Sequence, residues 1–283
     1  MPFPKIVADL GINHNGSLQI AKTMIAMAKN YGADYVKFQK RHPTLVYTPD
    51  YLSQRRIGPW GNTIGDEKRS LEFDHDGYAE IDSWCKQLGI EWFASPWSVE
   101  DVEFLARYNP PFMKVASVCM VHKKLLDAIR ETGIPVVAST GLVQRHEIDE
   151  AVEVLANDDK LHYLLHCVGL YPCPDARMGM RRIDALRERY GDRAAIGFSN
   201  HSPRTTYLVQ AAIMGAEMLE CHITLDRNMS GVDQEASIGP AGFEELMTTL
   251  KAIWAGWGDG AIAPCDEEAD KGGHYRWWKG SKQ

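Results

Sequence analysis

Eight short β-branched or aromatic runs alternate with helical patterns between residues 5 and 255, and no other feature limits the architecture as tightly. The runs are KIVADLGI (5–12), YVKFQ (35–39), EWFASP (91–96), FMKVAS (112–117), PVVAST (135–140), LHYLLHC (161–167), AAIGFSN (194–200) and MLECHIT (218–224). Helical periodicity follows Ser17, which is placed to cap a helix running to Asn30–Gly32, and recurs at 76–88, 98–107, 121–132, 144–156, 179–190, 203–213 and 240–253. Gly or Asn-Pro breakers close most of these stretches. Strand then helix, eight times in about 255 residues, is the arithmetic of a (β/α)8 TIM barrel. An open doubly wound sheet is the competing architecture; the first strand is not followed by GxGxxG, which weakens it.

Composition narrows the setting. With 283 residues, 45% of them hydrophobic, the chain can bury one barrel core, and its formal charge of -7 gives no support to a nucleic-acid or anionic-membrane surface. The six Cys contain no CxxC pair, and MPFPKIVADLG lacks a basic n-region and a long apolar run. No stretch approaches the roughly 18 apolar residues of a membrane span. A reducing, cytoplasmic location is the expectation. The barrel is expected over residues 1–260, with an excursion at 40–74 that carries no stable period and is long enough to cover a site. A polar and aromatic tail follows at 261–283, in which Trp277 and Trp278 either dock on the barrel or a neighbouring subunit or belong to a flexible end.

Strand ends at one mouth of such a barrel carry its chemistry. Here they offer Asp9, Asn13, His14, Asn15, Lys37, Gln39, Ser95, Lys114, Ser117, Ser139, Thr140, His166, Tyr171, Ser199, Asn200, His201, His222 and Asp226. A Lys inside an apolar strand is costly unless it meets an anion, and Lys37 and Lys114 both sit in that position. With serines nearby they suit a phosphate or a carboxylate; internal ion pairs, with Asp9 for example, are the competing reading. One β-α-β unit brings His201 and His222 together at strand ends, a geometry for a divalent metal completed by carboxylate or water oxygens. Two core histidines satisfied by backbone bonds would give the same spacing. His166, in LLHC, reads as a hydrogen-bonded barrel residue.

Several motifs in series resemble the sialic acid synthase family: ADLGINHNG (8–16), GADYVKFQK (32–40), GPWGNT (58–63), FASP (93–96), KVAS (114–117), ASTG (138–141), LLHCVGLYP (164–172), GFSNHS (197–202) and ECHITLDRNMSGVDQEAS (220–237). The resemblance covers nearly all of residues 5–255. It implies a (β/α)8 catalytic barrel and a metal-dependent condensation of phosphoenolpyruvate, as co-substrate, with the open-chain aldehyde of an aldose or amino sugar. The products would be a 3-deoxy 2-keto sugar acid and phosphate. By the same resemblance, Lys37, Ser95, Lys114, Ser117 and Ser199 hold phosphoenolpyruvate, and His201 and His222 bind the metal, usually manganese. Asp9 stands at an active-site Glu, Tyr171 near the substrates, and Asp233 at an Asp that contacts the acceptor.

Departures from the family pattern accompany the matches. Cys119 replaces a Glu that is a candidate for proton transfer, and Gly169 replaces an Asn. No counterpart of the family's C-terminal antifreeze-like domain, which supplies an Arg to the acceptor across a dimer, is expected in this chain; a homodimer through barrel helices is a reasonable assembly. Two further classes stay open at this point: another metal-dependent barrel aldolase, and a non-catalytic binder of an anionic ligand.

Overall fold

A computed structural model gives the structure of the protein and describes residues 2–156 and 160–275; Trp277 and Trp278 lie outside the described residues. β1 (Lys5–Gly11) leads into α1 (Leu18–Tyr31), and β2 (Tyr35–Lys40) follows. Ser17 caps α1 by accepting the Ile20 N–H, and Gly32 ends it in the left-handed conformation. An excursion then contains α2 (Pro43–Val46), α3 (Pro49–Leu52), the hairpin of β3 (Arg55–Gly58) and β4 (Gly61–Thr63), and α4 (Ile64–Ser70). Regular alternation resumes with α5 (His75–Leu88), β5 (Glu91–Pro96), α6 (Val99–Ala106), β6 (Met113–Val115), α7 (Lys123–Glu131), β7 (Val136–Ser139), α8 (Arg145–Leu155) and β8 (Leu161–Cys167). It finishes with α9 (Arg182–Tyr190), β9 (Ala195–Asn200), α10 (Thr206–Ile213), β10 (Met218–His222) and α11 (Pro240–Ala255).

The eight expected strands close into one parallel barrel in the order β1-β10-β9-β8-β7-β6-β5-β2, with β1 pairing β2 to complete the ring. That is the TIM-barrel topology. The compact unit holding it spans Met1–Leu250; a second unit, from Lys251, contains the end of α11 and α12 (Asp266–Tyr275). No helix among the described residues is long and apolar enough to cross a membrane.

The two-residue period of a strand sorts the barrel interior into layers. Val7, Phe93, Phe112, Val137, Leu165 and Met218 form a buried apolar cluster, with Tyr35 and Tyr163 packed against it. Each such side chain contributes about 1.5–3 kcal/mol by leaving water. Two positions further along the same strands stand Asp9, Lys37, Ser95, Lys114, Ser139, Cys167, Ser199 and Glu220, all buried. Gly197 is the small member of the lower level: a Cβ there would lie 2.4 Å from Leu165 Cδ2 and 2.5 Å from the Met218 carbonyl oxygen. Its bareness lets the Leu165 side chain fill the floor.

The excursion is anchored at both ends. Lys40 donates to the Phe73 carbonyl at 2.9 Å and to Glu72 at 3.2 Å, while the Arg41 N–H donates to Glu72 at 3.0 Å. Its hairpin reaches the turn after β1, where the Trp60 indole N–H meets the Asn15 carbonyl at 3.4 Å. His14 is buried in that turn, accepts the Gly16 N–H at Nδ1 (3.1 Å) and stacks on Phe73 at 4.4 Å.

Burial pushes the His14 pKa from its ordinary 6.5 down to about 3, a backbone hydrogen bond with Gly11 offsetting only part of the shift. The folded protein therefore holds a neutral imidazole where the unfolded chain takes up a proton. This contribution to stability is fully present above about pH 6.5 and is lost as the pH falls towards about 3. Urea unfolding followed across that window should show a slope of about 1.4 kcal/mol per pH unit from this group. His14→Asn should flatten the slope; an unchanged profile would assign the proton uptake to another residue.

Candidate active site

A cavity of about 240 Å³ opens at the C-terminal ends of the barrel strands. Asp9, Lys37, Ser95, Lys114, Ser117, Tyr171, Ser199, His201, His222 and Asp233 all line it, together with Gln39, Ser139 and Cys167. Of the sequence candidates, Cys119 is not among the lining residues. It sits in the 3-10 turn Ser117–Val121, buried, and desolvation pushes its thiol pKa up to about 11, with Arg41 and Lys114 opposing. At neutral pH it is a protonated thiol.

The floor of the cavity is an ionic network. Lys37 Nζ lies 2.7 Å from Asp9 Oδ2 and 3.9 Å from Glu220 Oε1. Lys114 Nζ lies 3.9 Å from the same Glu220 oxygen and donates to Ser139 Oγ at 2.6 Å. Ser199 Oγ donates to Glu220 Oε1 at 2.9 Å, and the Gly11 N–H donates to Asp9 Oδ1 at 2.9 Å. Burial disfavours both ammonium groups, but the outcome differs. For Lys37 the close Asp9 carboxylate and Glu220 outweigh desolvation and raise its pKa. For Lys114 desolvation prevails over the more distant Glu220, and repulsion from Lys37 adds to it, so its pKa falls. Glu220 stays ionised because Lys114 and Lys37 together overcome its own burial.

Glu220 is one of the lining residues that sequence reasoning passed over. Its signal was available: Met218, Glu220 and His222 alternate on one face of β10, and a Glu in an apolar strand is as costly as a Lys. Its Oε2 is buried with no hydrogen-bond partner. The other strand-end candidates serve the frame. Asn13 donates to the Ile223 carbonyl and Ser237, Asn200 to the Ser202 and Arg204 carbonyls, and Thr140 to the Leu165 carbonyl. His166 Nε2 lies 2.7 Å from the Met178 carbonyl, and Asp226 caps its own turn at Asn228.

His201 and His222 face one another across the mouth, ring centroids 5.4 Å apart. Nδ1 of His201 lies 2.7 Å from the Val168 carbonyl and so carries the proton, leaving the Nε2 lone pair to accept the Tyr171 hydroxyl at 2.9 Å. Tyr171 also stacks on this ring at 4.0 Å. His222 Nδ1 is buried without a hydrogen-bond partner, 3.4 Å from Asp9 Oδ2. Among the described residues no set of three or more His, Cys, Asp or Glu is arranged to hold a metal ion. His222, with an orphaned nitrogen, is open to a divalent cation, whereas His201 can join it only at Nε2, once the Tyr171 hydroxyl releases that lone pair.

Leu142 and Gly169 share the rim. Leu142 holds φ at 64°, is 70% exposed and leans over Gly169, where a Cβ would come within 2.5 Å of Leu142 Cγ. The missing side chain at 169 and the strained leucine are one packing solution.

A closed parallel barrel with two lysines and two carboxylates buried in its floor and paired imidazoles at its mouth places the protein in the TIM-barrel class, with its site at the C-terminal ends of the strands. The NeuB family model matches residues 24–261, and the chain belongs to this family of sialic acid synthase-like proteins. It is 33% identical over 265 residues to the N-acetylneuraminate-9-phosphate synthase of Homo sapiens, covering 92% of this chain and 74% of that protein. It is 34% identical over 248 residues to the synthase of the same name from Drosophila melanogaster, covering 87% and 66%. The chain thus spans about two thirds to three quarters of these relatives. The crystal structure of an N-acetylneuraminic acid synthetase from Leptospira borgpetersenii, in complex with citrate, superposes with a TM-score of 0.82 at 26% identity, covering 98% of this chain and 93% of that one.

Removing the shared carboxylate tests the floor. Glu220→Gln leaves two buried ammonium groups with one counter-charge and should lower the unfolding free energy by about 3 kcal/mol or more. An unchanged urea midpoint would show that the network does not carry the charges described.

Proposed function

We propose that this chain condenses phosphoenolpyruvate with the aldehyde of a sugar, giving a 3-deoxy 2-keto sugar acid and inorganic phosphate. Family membership supports the class of reaction, and one observation supports its location: two buried lysines and four serines line the cavity that the two imidazoles overlook. Carbon C3 of the enol bonds to the aldehyde carbon, water adds at C2, and phosphate leaves with cleavage of its C–O bond.

Lys37 and Lys114, with Ser95, Ser117 and Ser199, bind the phosphate and carboxylate of the donor. Lys37 keeps its proton throughout, as its raised pKa requires, and acts as a fixed positive charge. Lys114 gains most from the donor, because an arriving anion supplies the counter-charge that Glu220 provides only at 3.9 Å. His201 and His222 would hold a divalent metal, manganese in this reading. Such an ion supplies electrophilic polarisation of the acceptor carbonyl. Tyr171 stacks on the His201 ring, its hydroxyl giving up Nε2 when the ion binds, and Asp9 orients Lys37 and faces His222. Asp233, on the cavity wall, is placed to take acceptor hydroxyls. The protonated Cys119 thiol does not serve as the base for water at C2.

The test is phosphate release from phosphoenolpyruvate with manganese across aldoses, N-acyl amino sugars and sugar phosphates, with product mass read in parallel. Aldehyde-dependent release and a condensation mass are expected; release independent of any aldehyde, or none across the panel, would overturn the reading. His222→Ala should lose bound manganese together with turnover, measured by metal analysis of the purified protein. Lys114→Ala should raise the KM for phosphoenolpyruvate, by roughly tenfold or more for one charge-assisted contact.

A further inference from the structure

The cationic floor of the cavity is internally balanced, but its outer wall is not. Arg41 and Trp97 line the same cavity, with the Arg41 guanidinium carbon 4.0 Å from the Trp97 ring centroid. Among the described residues the Arg41 side chain makes no close ion pair, Glu72 acting on it only from a longer range; its Nη2 donates to Gln39 Oε1, and its Nε is buried without an acceptor. The indole Nε1 of Trp97 is likewise buried and unpartnered. Two neighbouring donors, one cationic, are therefore turned from water with nothing to receive them. Such groups are costly unless a ligand oxygen completes them.

The backbone holds this pair in place. The Arg41 N–H is tied to Glu72 at 3.0 Å and the Trp97 N–H to the Lys40 carbonyl at 3.2 Å. Lys37 and Gln39 alternate towards the interior of β2, and Arg41, one residue past its end, lays its guanidinium against Gln39 and Trp97 on the outer wall of the same cavity. A three-carbon acid bearing one phosphate, already met by the lysines and serines of the floor, does not need a third cation so far out. A co-substrate extending from the floor towards the mouth would meet it.

We propose that Arg41, seated on Trp97, is a specificity-determining residue of the acceptor subsite and takes an anionic substituent of the acceptor sugar, a phosphate or a carboxylate. This rests on the condensation reading for the identity of the two substrates. Cys119 bears on it: Arg41 is among the cations that act on this thiol, so a carboxylate introduced at 119 would give Arg41 a counter-charge of its own.

The experiment compares a neutral aldohexose, its 6-phosphate and its uronic acid, using manganese-dependent phosphate release and, independently of turnover, calorimetric binding of each sugar. The wild-type protein should prefer one of the two anionic sugars, and the arm that responds identifies phosphate or carboxylate. Arg41→Gln should lower kcat/KM for that sugar about tenfold more than for the neutral one, with the KM for phosphoenolpyruvate moving less. Arg41→Lys should recover part of the preference, and Cys119→Glu should weaken it. Equal losses on neutral and anionic sugars, or a loss confined to phosphoenolpyruvate, would overturn the assignment. Absence of phosphate release with every sugar would sink the condensation reading alone if Arg41-dependent binding of an anionic sugar persists; absence of that binding would sink the subsite.

Discussion

Four ionisable side chains, Asp9, Lys37, Lys114 and Glu220, are packed inside a closed barrel, and their mutual neutralisation is the condition on which the site stands. Each ion alone would cost several kcal/mol to bury, and together they tolerate burial because every carboxylate faces an ammonium group. That arrangement needs strands β1, β2, β6 and β10 to deliver their side chains to one level from different sides of the ring. The apolar cluster one level below supplies the rigidity. Function and fold meet at the boundary between these levels, two residues apart on every strand.

The uneven reach of the network gives it direction. Lys37 is saturated by Asp9 at 2.7 Å, whereas Lys114 depends on a carboxylate at 3.9 Å and a neutral hydroxyl. An incoming anion therefore does more for Lys114 than for Lys37. Asp9 also approaches His222. The histidines lie near the rim, with the Val168 carbonyl setting the tautomer of His201 through a bond outside the reacting space. Electrostatic preorganisation of this kind is built by backbone geometry before any ligand arrives.

The barrel was legible because its signal is periodic and repeated. A polar residue two positions after an apolar one, as in Val7 to Asp9 or Phe112 to Lys114, marks the level at which the interior becomes a site. That His201 and His222 meet at the barrel mouth was legible for the same reason. The excursion was legible only as a break in the alternation and not in its internal structure, since its five elements run only three to seven residues and each stops before a period can register. Arg41 and Trp97 were hidden with it: both lie past the ends of their strands, and their meeting depends on how Glu72 closes the loop. Glu220 was visible in the alternation of β10 but was overshadowed by the two histidines. Cys119 follows from neither period nor spacing; whether its thiol reaches the cavity is set by the 3-10 turn after β6.

The leaning of Leu142 over Gly169 also ties two loops of the rim together. A Cβ at position 169 would lie 2.5 Å from Leu142 Cγ, so any side chain there turns this exposed leucine outward into water. The shape of the mouth is thus shared between the two positions, and a change at one is felt at the other.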